Sequence, residues 1–518
     1  MFAVLLSWQF ITIGISIILA GASIQLYQND HRKWALILLT LAALVLRISA
    51  AFLDPFLNMW DEVFHAVAAK NMMDHPLTPM LHRELAMPIT DHWPHQHIWL
   101  HKPPFFLWLI ALSMKIFGTE VWAVRIPSAI LTALLVPITW RMGTILRNER
   151  VGFISAILVS FSYLLIELTA GSINTDHNDA IFIALVGFSI WSLLEYLKDP
   201  RRQWAAAIGL FCAAAILTKW YVGLLAFLPF GLIVLQRKFD PRTFLHFLLA
   251  TSITTLLVGA WLWHIWTWFP TEAAYEVEFK SRHFSYPIDG HRGTWLFHLD
   301  AIDDLVPPFT WWIVVPAFVL LVVQVKERDH RIVLLSIFLA IHSFFMIAQT
   351  KMICYTMVLL PIYMIAIGNA IGLCIDRVGT NRVQRWIFPI GMIVVLILAL
   401  DPVRIVKRHS LPEELKEQLG WRRQFMEAMP VMEKLAAQLG DPRTTAIFNM
   451  PSNHFLQFMF DHGHSTWDKM PTDEDAGRLI AKGYTVYAIQ DGRGLDEFPQ
   501  NVIVIPDSVV QFPRWSRL

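Results

Sequence analysis

Residues 141–179 read RMGTILRNER-VGFISAILVSFSYLLIELTAG-SINTDHND. A short basic segment, an apolar run at 151–171 and a polar, acidic turn follow one another. An apolar run of roughly 20 residues is what a helix needs to cross a bilayer. Short connections rich in Lys and Arg stay on the cytoplasmic side of a membrane. The stretch therefore predicts one membrane span with its basic end inside and its acidic turn outside.

The same grammar extends along the 518-residue chain. Candidate spans fall at 3–26, 34–53, 119–140, 151–171, 179–197, 204–219, 221–236, 243–264, 306–325, 331–348, 353–374 and 386–402. Basic residues recur in alternate connections, at Arg32-Lys33, Arg141 to Arg150, Lys198 to Arg202, Arg237 to Arg242, Lys326 to Arg331 and Arg377 to Arg385. The intervening loops, 54–118, 172–178, 218–220, 265–305 and 349–352, together with the tail, are then extracytoplasmic. Phe105 to Phe117 is apolar but too short to cross comfortably, and counting it would reverse every later basic loop. It reads as a helix lying at the outer interface. Residues 1–27 carry no basic start and no small-residue cleavage site, so they read as a retained span and not a leader.

Composition agrees. The chain is 55% hydrophobic and 16% charged, against about a quarter charged in an ordinary soluble domain. A net charge of +1 argues against nucleic acid as a partner. Cys212, Cys354 and Cys374 all sit in apolar runs and supply neither a disulfide framework nor a CxxC metal site. Beyond residue 402 the pattern changes. An amphipathic helix at 411–439 precedes three short apolar strands at 445–449, 485–489 and 501–505. The fold class expected is an all-α polytopic membrane protein of about 12 transmembrane helices (domain 1–402) with a small extracytoplasmic α/β domain at 403–518.

Charges close to a membrane are costly and so suggest function, and here they concentrate in the outer loops. The first loop opens Asn58-Met-Trp-Asp61-Glu62-Val-Phe-His65, with carboxylates where a helix begins. Helix capping accounts for such a pair as readily as catalysis does. Further on stands Asp91-His-Trp-Pro-His95-Gln-His97-Ile-Trp-Leu-His101-Lys102-Pro-Pro. Its histidines suit a metal or an interfacial His/Trp belt. The prolines hold Lys102 at a fixed place, as a lipid phosphate requires. The second loop contributes Asn174, Asp176, His177 and Asp179. Lys219 and Lys351 each interrupt apolar sequence at an outer turn, where a lysine could also snorkel to the surface. The third loop, 266–304, mixes His283, His298 and other charges of both signs with aromatic residues.

Taken in order, Asp61-Glu62, Lys102-Pro-Pro, the helix ending Phe117-Gly118, Val124-Arg-Ile-Pro-Ser-Ala129, Asn174-Thr-Asp176, Leu217-Thr-Lys219 and Thr350-Lys-Met-Ile-Cys-Tyr355 resemble one family. The resemblance is to the bacterial protein O-mannosyltransferases and lipid A aminoarabinose transferases (ArnT-like), which share the type C glycosyltransferase fold. It runs from about residue 54 to 375. It departs from the pattern in an extra first span, and in His101 where some relatives carry a metal-binding glutamate.

The resemblance implies a glycosyltransferase of the bacterial inner membrane, with its site and tail domain on the periplasmic face. The sugar would come from a polyprenyl-phosphate donor and pass to a protein, lipid A or other envelope hydroxyl. Asp61 and Asp176 match the family's catalytic acids, with Glu62 alongside. Lys102, Lys219, Lys351 and Tyr355 match donor phosphate-binding positions. His65, His101, Asp179 and His283 are candidate substrate contacts. A divalent metal is the one cofactor considered, with His97, His101 and His298 as its candidate ligands. The alternatives are a transporter or flippase of envelope lipids, which should carry mid-span charges and inverted repeats, and a non-catalytic assembly protein working through its tail.

Overall fold

The computed structural model describes every residue except 1, 85–92, 173–177, 309, 378–380, 402–412, 452–453, 491–497, 507–508 and 513–518; for 2–10, 93, 381–387 and 413–421 only the backbone is described. The chain divides into two compact units. One comprises Met1–Leu53, Lys102–Phe106 and Arg125–Pro402; the other comprises Asp54–His101, Leu107–Val124 and Val403–Leu518.

The first unit is helical. Its elements are α1 (Phe2–Gln28), α2 (Arg32–Ala51), α5 (Val121–Leu146), α6 (Glu149–Ser160), α7 (Tyr163–Ala170), α8 (Asn178–Lys198), α9 (Arg202–Lys219), α10 (Phe227–Gln236), α11 (Pro241–Trp268), α12 (Pro270–Ser285), α13 (Phe297–Asp300), α14 (Trp311–Gln324), α15 (Arg328–Ile347), α16 (Leu360–Arg377) and α17 (Asn381–Leu400). In the chain, α3 (Asp61–Met72) and α4 (Phe105–Phe117) come between α2 and α5.

Among the described residues, nine helical segments are long and apolar enough to cross a membrane. Three shorter apolar helices, Phe227–Gln236, Trp311–Gln324 and Phe388–Leu400, fall on the remaining expected spans. The chain is a multi-pass membrane protein. The long apolar stretch at 204–236 breaks where expected, after Lys219, into the 3-10 turn Trp220–Leu224. The span at 151–171, by contrast, is broken between α6 and α7. Arg47 of α2 explains how that break is tolerated. Its guanidinium is fully buried and donates to the carbonyls of Val159 at 2.8 Å and Ser160 at 2.9 Å. The end of α6 leaves its last carbonyls short of regular helical donors, and that of Val159 also accepts the Ser162 N–H of the turn at 3.3 Å. Close packing uses small residues: a methyl group on Gly209 of α9 would come within 2.5 Å of the Ala250 carbonyl oxygen of α11.

The second unit holds α18 (Glu413–Ala436), α19 (Phe455–His462), α20 (Asp473–Ala481) and a four-stranded parallel sheet in the order β2-β1-β3-β4. The strands are β1 (Thr445–Phe448), β2 (Ser465–Thr466), β3 (Thr485–Ile489) and β4 (Ile503–Ile505). Apolar runs such as Thr-Ala-Ile-Phe suit parallel strands covered on both faces. Ala446, Phe448, Trp467, Leu479, Val486 and Ala488 form the core. Thr472 and Asp475 close a capping box at the start of α20.

A division of the chain at residue 402 placed the first outer loop with the spans. In the structure most of that loop joins the tail in one unit. Asp54 pairs with Arg422, the Leu57 N–H donates to Gln457 at 2.9 Å, and Phe56 stacks on Phe425 at 5.3 Å. Lys70 donates to the Phe460 carbonyl of α19. The tail's small sheet gains from the loop the buried surface that about a hundred residues alone supply sparingly.

Candidate functional site

Within the first unit, α8 begins where α9 ends. Lys219, the last residue of α9, brings its ammonium 2.5 Å from Asp179 Oδ1 in the first turn of α8. The Asp179 side chain is almost wholly buried and that of Lys219 largely so. Asn178 donates from Nδ2 to the Thr218 carbonyl at 3.3 Å, so the two helix ends are locked together. Trp220 then turns with φ 62° and ψ −149°, a conformation otherwise almost confined to glycine. Gly223 lets the following 3-10 turn lie against α9, since a Cβ there would meet the Ile216 nitrogen at 2.5 Å.

The amphipathic α12 of the third loop covers this turn. Glu276, buried, pairs with Lys280 one helical turn on at 3.1 Å, and the Lys280 ammonium lies 3.9 Å from the centre of the Trp220 ring. Sequence alone did not separate these two from the other charges of the loop. Their i, i+4 spacing was the signal available.

The 349–351 turn is hydrogen-bonded along its backbone to the third loop. Gln349, Thr350 and Lys351 donate from their N–H groups to the carbonyls of Phe284, His283 and His291, each at 3.1 Å. The Tyr355 hydroxyl and His283 Nδ1 are 3.3 Å apart. Lys351 is buried, and its ammonium donates to the carbonyls of Phe345 at 2.8 Å and Met346 at 2.7 Å, at the end of α15. Burial lowers its pKa. Its charge caps a helix C-terminus and anchors the turn that carries Tyr355. His298, fully buried beside Phe345 and Tyr355, is held neutral by desolvation, its pKa lowered to about 4.

In the second unit, Asp61 is the first residue of α3 and half-buried. Glu62 is buried, and its carboxylate accepts the Asn58 N–H at 2.7 Å, the geometry of a helix-start turn. His65, on the same helix, meets Trp99 edge-on at 5.8 Å, and His101 lies 5.7 Å from that ring. The backbone N–H of Trp99 donates to the Pro79 carbonyl at 2.9 Å beside the Met80–Ile98 bridge and so fixes the residue. His82 stacks on Trp467 at 4.7 Å, and burial drives its pKa to about 3. His95 Nε2 meets Asp468 Oδ1 at 2.8 Å.

The structure thus brings together Asp179 with Lys219, His283 with Tyr355, and His65 with His101 through Trp99. Asp176 lies outside the described residues. Lys102 belongs to the first unit and His101 to the second. Of the candidate metal ligands, His97 and His101 fall in the second unit and His298 in the first. Among the described residues no group of three or more His, Cys, Asp or Glu could hold a metal ion.

A solved structure, ArnT from Cupriavidus metallidurans bound to undecaprenyl phosphate, superposes with a TM-score of 0.58 over 91% of this chain and 89% of its own, at 16% identity. The chain has an ArnT-like type C glycosyltransferase fold. The archaeal oligosaccharyltransferase AglB from Archaeoglobus fulgidus superposes with a TM-score of 0.52 over 84% of this chain and 64% of its own, at 10% identity. A family model described as dolichyl-phosphate-mannose-protein mannosyltransferase matches residues 101–268. Within the ArnT-like fold that segment runs from the Lys-Pro-Pro motif to the end of α11. A curated relative from Pseudomonas fluorescens, undecaprenyl phosphate-alpha-4-amino-4-deoxy-L-arabinose arabinosyl transferase 1, is 23% identical over 69% of this chain and 62% of its own length. The corresponding transferase of Pseudomonas savastanoi is 31% identical over 24% of this chain and 23% of its own. The chain therefore spans less than two thirds of the length of the first of these relatives.

Proposed function

We propose that the chain is an integral-membrane glycosyltransferase that moves a sugar from a polyprenyl-phosphate donor to a hydroxyl of lipid A, a protein or another envelope acceptor, on the periplasmic face of the inner membrane. The observation that carries this reading is the Asp179–Lys219 pair, which fixes a cation where the end of α9 meets the start of α8. The relatives from Pseudomonas, named as undecaprenyl-phosphate aminoarabinose transferases, and the undecaprenyl phosphate in the Cupriavidus structure support the donor class.

The chemistry divides into two tasks. A carboxylate, Asp61 with Asp176 orienting the acceptor, takes the proton of the acceptor hydroxyl. The oxygen attacks the anomeric carbon opposite the lipid phosphate, and the bond from that carbon to the phosphate oxygen breaks. The electron pair leaves with the polyprenyl phosphate, and the anomeric centre inverts. General base catalysis of this kind gives a factor of roughly 10² to 10⁴. Lys102 and Lys219 stabilise the departing phosphate, with Tyr355 and His283 as further contacts and Lys351 holding their turn in place. Glu62, occupied with the Asn58 N–H, fixes the start of the helix that carries Asp61.

The test is transfer of radiolabelled sugar from a panel of polyprenyl-phosphate donors, using purified chain in lipid and a membrane extract as acceptor, with Asp61→Asn alongside. Transfer by the wild type and loss in the variant support the assignment. Undiminished transfer by a well-folded Asp61→Asn protein removes Asp61 from the role of base.

A further inference from the structure

On the first unit, at the ends of the spans that carry the basic connections, the starts of α9 and α11 and the loop after α8 enclose a groove of about 690 Å3 lined by Arg201, Arg202, Arg242 and His246. Several other cations of that set are held by carboxylates. Arg141 is paired with Glu195, Arg150 with Asp376, and Arg237 with Asp329. In the groove, Arg242 donates to the Pro200 carbonyl at 2.6 Å and lies within electrostatic range of Asp240, whose carboxylate is engaged by Thr243. Arg202 is exposed and has no hydrogen-bond or ion-pair partner among the described residues. Arg201 pairs with Asp199 at 2.6 Å, so the groove keeps an excess of positive charge. The N-cap side chain of α9, Arg201, makes no capping hydrogen bond, and the positive end of that helix adds to the field.

The remaining wall is apolar. Leu245 is 62% exposed and Leu249 half-buried, both on α11, whose apolar stretch is largely uncovered by the rest of the chain and so faces acyl chains. A groove with guanidinium groups at the membrane boundary and leucines below them fits a ligand with a phosphate head and hydrocarbon tails. We propose that it is a binding site for an anionic glycerophospholipid, its phosphodiester held by Arg202 and Arg242 and its acyl chain laid along Leu245 and Leu249. The site is separate from the glycosyl-transfer residues and stands or falls independently of that activity.

The experiment is native mass spectrometry of the full chain in detergent. It is titrated with phosphatidylglycerol, with phosphatidylcholine of the same chain length, and with inorganic phosphate as competitor. The wild type is compared with Arg202→Ala, Arg202→Ala/Arg242→Ala and, as a control in another basic connection, Arg328→Ala. Arg202 touches nothing that its loss would unpack, and an unchanged melting temperature confirms this. The expected result is a preference for phosphatidylglycerol that falls about fivefold with each groove arginine removed and is unaffected by Arg328→Ala. Equal retention of the two lipids, or equal phosphatidylglycerol affinity in Arg202→Ala, overturns the proposal. Displacement of the lipid by millimolar phosphate overturns the lipid as occupant and leaves a free-anion site.

Discussion

The ammonium of Lys280 stands 3.9 Å from the centre of the Trp220 ring while it pairs with buried Glu276 at 3.1 Å. Trp220 occupies a backbone conformation at φ 62° that a bulky residue adopts only when its surroundings impose it. Cation and ring together fasten α12 of the third loop to the turn after α9. Lys280→Gln and Trp220→Phe should each destabilise the protein, with a coupling of roughly 0.5–2 kcal/mol in a double-mutant cycle followed by thermal unfolding in lipid nanodiscs. Strictly additive losses would show that the two side chains do not act on each other.

Lys219 ends a helix with its charge placed by Asp179. If that charge meets a developing phosphate, Lys219→Met should lower turnover by roughly 10²-fold or more, with a smaller change in KM for the donor. Asp179→Asn should act through Lys219, mainly by loosening donor binding. Rates of transfer equal to wild type in Lys219→Met, at normal membrane levels, would dismiss the phosphate role.

Arg47 is fully buried, and its guanidinium joins two spans through the carbonyls of Val159 and Ser160. Arg47→Met fills much of the same volume but removes the guanidinium donors from both carbonyls in an apolar setting. It should cost on the order of 3 kcal/mol of stability and leave the chemistry of any surviving protein intact. Detergent unfolding at wild-type temperature would contradict this. A mid-span charge satisfied by backbone carbonyls also accounts for itself structurally, without a transport pathway.

The second unit should be acid-sensitive. His82 and His454 have pKa values lowered by burial from 6.5 to about 3 and about 4. A depressed histidine stays neutral in the fold while the unfolded chain takes up a proton, so stability is complete above pH 6.5 and lost as pH falls toward the folded values. Each histidine should contribute a loss of about 1.4 kcal/mol per pH unit in that window. His82→Phe, which keeps the stack on Trp467, should flatten the dependence measured by melting between pH 7 and pH 4 (a range set by those pKa values). An unchanged slope would place the acid sensitivity elsewhere.

The spans were legible because hydropathy is a local property. A run such as 151–171 must leave water wherever the rest of the chain lies, and helices stand at all twelve expected positions. The strands at 445–448, 485–489 and 503–505 announced themselves in the same way, whereas the two-residue β2 at Ser465–Thr466 is too short to carry a pattern. The loop acids and lysines could be picked out because charge beside a membrane is costly. Their partners could not. Nothing near Lys351 in the sequence says that its ammonium turns back onto the Phe345 and Met346 carbonyls, and nothing near Asp54 points to Arg422. The joining of residues 54–101 to the tail, the stacking of His82 on Trp467 and the seating of Lys280 over Trp220 rest on pairs far apart in the chain. Sequence determined which segments enter the membrane, since that depends on each segment's own transfer free energy. Tertiary structure alone decided which polar groups meet, because a hydrogen bond or ion pair leaves no periodic trace in the residues that make it.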